Sequence, residues 1–297
     1  MTSLKYIQSR IKSITSIKKI TQAMKIISSF SLKNVECDLV HSTEYLYSIE
    51  KSLMQIYRED ARIFYNTLSN YTSNTSNTKA TLLIVFGSDK GLCGAFNSKI
   101  INKFNLEMHK EAQILVVGNR ISQYMLRNFQ GYVINYFPLF AAKDNKDTFK
   151  YASLLIKEVE ALYKAKQISK CRIVYTKFQS IRNNSVEVID LLPINISRIK
   201  TKVIQHDLCS LPTQFNDNIE LVVYQLIQKY LSARIFNISC HSVICEHTAR
   251  MFAMENATQN SVKILKDLRL FYNRSRQSII TSELVEIISG AEATLNI

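Results

Sequence analysis

Gly87-Ser88-Asp89-Lys90-Gly91-Leu92-Cys93-Gly94 follows an aliphatic run, and a glycine-rich turn carrying an acid and a base is the first place in this chain to look for phosphate chemistry. Exposed backbone N–H groups at a strand-to-helix turn form an anion cradle when glycines let the chain close around them. Here the spacing is G-x-x-x-G-x-x-G, which fits neither the dinucleotide fingerprint nor the P-loop, and no acid stands suitably after the next strand. The turn therefore reads first as a tight connection needing positive φ at Gly87, Gly91 or Gly94, with Asp89 and Lys90 as a solvated pair; a phosphate cradle is the second reading. Cys240, His241, Cys245 and His247 have metal-ligand chemistry, but at about 100° per residue on a helix they divide between two faces and cannot converge. The six cysteines contain no C-x-x-C pair and read as reduced thiols packed as small hydrophobes. The five histidines lie in unrelated contexts, so no nucleophile, base and orienter emerge: no catalytic residue, metal or cofactor is expected.

The elements that must position these residues are unusual. Eight of the nine glycines and prolines lie between Gly87 and Pro212, with 86 residues before them and 77 between Pro212 and Gly290. Segments this long without a breaker predict two very long helices bracketing one domain. Leu4, Ile7, Ile11 and Ile14 form a stripe that Ile17, Ile20, Met24 and Ile27 continue with a stutter-like drift. Ile219, Val222, Val223, Leu226, Ile227 and Tyr230, then Ile264, Leu265, Leu268, Tyr272, Ile279, Leu284 and Ile287, offer a matching face. An antiparallel pairing within one molecule is the simplest arrangement, and parallel dimerisation its competitor. Thr258, Gln259, Asn260, Ser261 and Ser275 make the seam polar, as if part of the last helix left its partner for something else.

Between the helices, Ser69–Thr78 reads as a polar loop, and the hydrophobic period then changes. Strands are expected at 81–86, 114–118, 132–137, 172–178 and 186–191, and helices at 97–112, 119–129 and 147–166. That alternation predicts a Rossmann-like α/β domain with a largely parallel sheet, ending in a linker from Pro193 to Pro212. The expected division is an N-terminal coiled-coil helix over 1–68, the α/β domain over 80–195 and a C-terminal coiled-coil helix over 213–297.

Charge gives direction without identity. The net charge is +14; residues 1–35 carry seven basic side chains and no acid, 81–212 carry 19 basic against 10 acidic, and 213–297 balance at eight and eight. A basic arm suits nucleic acid or an acidic protein surface. No apolar run approaches the roughly 18 residues needed to cross a bilayer, and no secretory signal opens the sequence, so any membrane association is expected through partners.

Several strings resemble one family. GSDKGLCGAFN at 87–97, the opening SLKYIQSRIKSITSIKKITQAMKII and EHTARMFAMENATQN at 246–260 resemble the gamma subunit of F-type ATP synthases, and ITSELVEIISGAEA at 280–293 is similar to its C-terminal signature at Thr281, Glu283, Glu286, Gly290 and Ala291. The resemblance covers essentially the whole chain. It implies a rotor shaft inside a hexamer of alpha and beta subunits, with the α/β domain against the epsilon subunit and the c-subunit ring, and ATP chemistry on the beta subunits. About 80 helical residues at about 1.5 Å each give roughly 120 Å, enough for such a shaft. The resemblance assigns beta-subunit contact and torque to Arg250, Gln277 and Thr281, and places Met24, Lys18, Lys19 and Lys25 opposite an acidic beta-subunit loop. It implies no small-molecule substrate, cofactor or nucleic-acid partner, and a peripheral position on the cytoplasmic face of a bacterial inner membrane. The chain opens on the family's first helix with no transit peptide, and lacks a cysteine-bearing regulatory insert. It departs from the family at Ser31-Leu32-Lys33-Asn34-Val35, where a basic pair is common. The rival readings are a basic coiled coil that binds nucleic acid and a nucleotide-dependent enzyme built on the α/β domain.

Overall fold

In this computed structural model, residues 4–72, 80–109, 111–140, 145–194 and 219–295 are described. The order is α1 (Leu4–Glu59), α2 (Ala61–Thr72), β1 (Thr81–Phe86), α3 (Phe96–Glu107), β2 (Ala112–Val117), α4 (Asn119–Asn128), β3 (Val133–Phe137), α5 (Asn145–Lys164), β4 (Lys170–Phe178), β5 (Asn184–Leu192) and α6 (Ile219–Leu295). The chain divides into two compact units, one of Ser29–Arg250 and one of Met1–Ser28 with Met251–Ile297.

In the first unit the sheet runs β3-β2-β1-β4-β5. Strands β1 to β4 are parallel and β5 is antiparallel to β4. The reason lies in the connections: residues 179–183 between β4 and β5 are too few for a crossover, whereas helices separate the other strands. Alternate β1 residues face opposite cores. Leu82, Ile84 and Phe86 join Leu115, Ile173 and α6 side chains such as Tyr230 and Ile235 on one side; Leu83 and Val85 join Ile100, Phe104, Ile121 and Met125 of α3 and α4 on the other.

Two expectations about the ends of elements fail for local reasons. The first long helix is interrupted at Asp60 without glycine or proline: the Asp60 carboxylate accepts hydrogen bonds from the amides of Arg62 and Ile63, both at 3.1 Å, and caps α2. The polar loop expected from Ser69 begins as helix, because Tyr71 is buried, donates its hydroxyl to Glu160 at 3.1 Å and offers its carbonyl to the amide of Ile194. The rest of that loop, and most of the linker ending at Pro212, lie outside the described residues.

In the second unit the two helices pack antiparallel. Thr21 and Thr258 hydroxyls meet at 2.8 Å, and Lys25 pairs with Glu255. The inward face of α1 is Leu4, Ile7, Ile11, Ile14, Lys18, Thr21, Lys25 and Ser28, an unbroken alternation of threes and fours. The expected drift is absent: Ile17, Ile20 and Ile27 are exposed, Ile20 at 58%. Facing them, Met254, Thr258, Ser261, Leu265, Leu268, Tyr272 and Ser275 form the seam of α6. Its polar middle therefore meets a polar middle on α1, and the helix does not leave its partner there.

Candidate functional site

The turn after β1 is built by close approach. A Cβ on Gly87 would lie 2.4 Å from Ile121 of α4, and one on Gly118 would lie 2.7 Å from the carbonyl oxygen of Gly87, at a φ of 119°. With both positions bare, Gly87 donates to Val117 O at 2.8 Å and Ser88 O accepts the amide of Arg120 at 3.0 Å. Asn97, at the start of α3, accepts the Ser88 amide at 3.0 Å and donates to its hydroxyl at 2.6 Å. Positive φ falls at Leu92 and Gly94, so the tight-turn expectation holds, with a leucine sharing what was expected of glycine.

The Lys90 side chain is exposed and that of Asp89 half-buried, as expected of a solvated pair, but their backbone amides are taken within the chain. The Asp89 amide donates to Glu246 Oε2 at 3.2 Å and the Lys90 amide to Glu246 Oε1 at 3.4 Å. Asp89 Oδ1 accepts the Asn119 amide at 3.1 Å, at the N-terminus of α4. One helical turn beyond Glu246, Arg250 donates through Nε to Gly91 O at 3.2 Å and through Nη2 to Lys90 O at 3.4 Å, and pairs with Glu246. The two amides that could have held a phosphate hold a carboxylate of the chain itself.

Burial dominates the electrostatics. Loss of hydration raises the Glu246 pKa above the usual carboxylate value, opposed by Arg250 and the amides of Asp89 and Lys90. His247, within 3.3 Å of Arg250 Nη1, is lowered to about 4 by burial and then by Arg250 and Lys90. His241 is lowered to about 4 by burial first and Lys177 second. Burial raises Cys240 and Cys245 to about 12. Among the described residues no cluster of histidine, cysteine and carboxylate could hold a metal ion.

The structure distributes the residues expected at beta-subunit contacts rather than gathering them. Arg250 is only 5% exposed, with its guanidinium held by Glu246, Lys90 and Gly91. Lys18 and Met24 are half-buried, Lys19 is exposed, and Lys25 is paired with Glu255. Gln277, Thr281, Glu283, Glu286, Gly290 and Ala291 lie on a stretch, from Arg276 to Ala291, in which every side chain is exposed. The Thr281 hydroxyl donates back to Gln277 O at 2.9 Å. Register explains the exposure: with Thr21 opposite Thr258 and Lys25 opposite Glu255, Leu4 stands opposite residue 275 or 276. Beyond that point Ile279, Leu284 and Ile287, expected in the seam, have no facing turn of α1; Ile287 is 67% exposed. Sequence reasoning missed Glu246, although a carboxylate four residues before an arginine was a visible signal.

Comparisons with known proteins agree on one family. The ATP synthase family model matches residues 3–294. The ATP synthase gamma chain of Rickettsia bellii (strain RML369-C) is 31% identical over 300 residues, covering 99% of this chain and 100% of its own length. That of Clostridium pasteurianum is 31% identical, covering 97% of each. Among solved structures, a chain of the Euglena gracilis mitochondrial ATP synthase OSCP/F1/c-ring assembly superposes with a TM-score of 0.68 at 15% identity, over 98% of this chain and 94% of its own. A chain of the Tetrahymena thermophila central stalk and c-ring gives a TM-score of 0.59 at 22% identity, over 80% of this chain and 99% of its own.

Proposed function

The chain belongs to the ATP synthase gamma-chain family, and from that premise we propose how it works as the rotor of the central stalk. It is a subunit of the ATP synthase complex, turning inside the alpha and beta subunits and carried by the c-subunit ring, with the epsilon subunit against the sheet domain. The match across residues 3–294 carries this reading, since it includes both long helices as well as the sheet. A nucleic-acid-binding coiled coil finds no support among these relatives. No helix among the described residues is long and apolar enough to cross a membrane, consistent with a peripheral subunit. The bacterial relatives support a place on the cytoplasmic face of the inner membrane.

The chain itself performs no bond chemistry in this reading. The cradle of backbone amides after β1 is filled by Glu246, while hydrolysis and synthesis of ATP proceed on the beta subunits as the uneven surface of the shaft passes each site. Gln277 and Thr281 are the polar torque contacts, set on an exposed strip with Glu283 and Glu286; Gly290 and Ala291 lie in the tip, and Ile279, Leu284 and Ile287 suit an apolar sleeve. Lys19, exposed on the basic arm, and the half-buried Lys18 and Met24 face the acidic beta-subunit loop; Lys25 supports them through Glu255. Arg250 acts inside the chain, holding the turn after β1. The domain division expected from the sequence, 1–68, 80–195 and 213–297, is kept as the working description of helix, sheet domain and helix.

Reconstitution with alpha and beta subunits tests the proposal. The chain is expected to join one copy per hexamer and to support proton-driven ATP synthesis after assembly with the membrane sector. Failure to join, or coupled synthesis that survives removal of residues 213–297, overturns it.

A further inference from the structure

In open α/β sheets the ligand crevice lies beyond the carboxyl ends of the strands, where the order of connections reverses. With the order β3-β2-β1-β4-β5, that point falls between β1 and β4. Here α6 fills it. Cys245 donates to Thr176 O of β4 at 3.6 Å, and the next residue, Glu246, accepts the two amides that follow β1. Arg250 then donates to the carbonyls of Lys90 and Gly91. One turn of helix thus grips one turn of the sheet domain through two amides and two carbonyls, at the last residues of α6 that belong to the sheet-bearing unit. Opposed donors and acceptors resist both sliding along the helix and turning about it.

We propose that Glu246 and Arg250 are positioning residues that key the sheet domain to the shaft, so that torque passes between α6 and the turn Ser88–Gly94 through these four backbone bonds. The idea rests on the rotor reading. Glu246 occupies, as a built-in anion, the crevice that related folds leave for a phosphate.

The test uses the assembled complex with the double substitution Glu246→Leu and Arg250→Met, which replaces a buried ion pair by apolar groups of similar size and so preserves burial. Amide exchange at Asp89 and Lys90 is expected to accelerate about tenfold or more, with the amides of Ile235 and Ile244 unchanged. Proton-driven ATP synthesis is expected to fall further than ATP hydrolysis. In Glu246→Ala, added formate is expected to restore part of the coupling by refilling the two amides, a response that a purely packing role does not give. Unchanged exchange at Asp89 and Lys90 overturns the clasp, and faster exchange with wild-type synthesis overturns its role in torque. Should the double variant not fold, Glu246→Asp, one methylene shorter, serves instead: intermediate coupling supports the proposal and wild-type coupling defeats it. If the unaltered chain neither assembles nor supports synthesis, the rotor reading fails before any variant is made; if it does both, the variants judge the clasp alone.

Discussion

One helix, α6, lives in two environments. From Tyr230 to Arg250 it is buried on almost every side, and several of its polar groups find partners within the chain: Ser239 on Phe140 O at 2.6 Å, Asn237 on Ser42 and Thr43 at 3.0 Å each, Glu246 and Arg250 on the turn after β1. From Arg276 to Ala291 every side chain faces outward, isoleucines included. The first stretch explains itself from this chain alone. The second does not, because a run rich in Ile, Leu and Val lowers its free energy only when something covers it. An internal role for a residue is thus readable from the isolated chain, and an external role shows as unfinished burial.

The contrast can be broken by substitution. Glu246→Ala strands the Arg250 guanidinium and is expected to cost about 3–5 kcal/mol, the loss typical of half a buried pair; denaturant unfolding of the isolated chain measures it, and a loss below about 1 kcal/mol would mean that water already reaches the clasp. Ile235→Ala, at a fully buried site, should cost about 2–5 kcal/mol by the same measurement. Acid should weaken the buried stretch next. Histidines with folded pKa values of about 4 bind protons in the unfolded chain between pH 4 and 6.5 that the native chain does not bind, so stability falls as pH drops through that window. Glu246, raised by burial, binds its proton more readily when folded and opposes them, one group against two. Thermal melts from pH 7 to 4 are expected to show falling Tm, with a shallower slope in His241→Phe; an equal slope would remove His241 from the account. Smallest of all, Ile287→Ala should change the stability of the isolated chain by less than about 0.5 kcal/mol while weakening assembly with the hexamer. A large loss of stability without the hexamer would mean that the tip is covered within the chain.

Much of the fold was legible because it rests on period. β1 falls at 81–86, where a buried strand was expected, and the helix and strand order follows the change from a period of 3.6 to 2. Three features were not legible, each for a physical reason. The seam of α1 could not be followed past Ile14, since the residues that keep the strict spacing are Lys18, Thr21, Lys25 and Ser28, while nearby isoleucines point outward. Reading hydrophobicity alone favours the wrong face wherever a polar partner such as Thr258 waits opposite. The helix break at Asp60 escaped because a side chain, not a glycine or proline, ends the hydrogen-bond ladder. The clasp escaped because burial of a carboxylate is decided by residues 156 and 157 positions away in sequence. Gln277 and Thr281 were legible only through likeness to a family; nothing in their own spacing distinguishes them from solvated helix.

The register between α1 and α6 has a practical consequence for anyone handling this chain. Because Leu4 stands level with residue 275 or 276, an affinity tag fused at this end and helical up to Leu4 would come alongside Thr281 within a few residues. Such a tag would sheathe the strip expected to meet the beta subunits, and a preparation that looked inactive would report the tag. Ile181, exposed on the hairpin of the sheet-bearing unit, offers a place for a handle that leaves the N-terminus of α1 unextended.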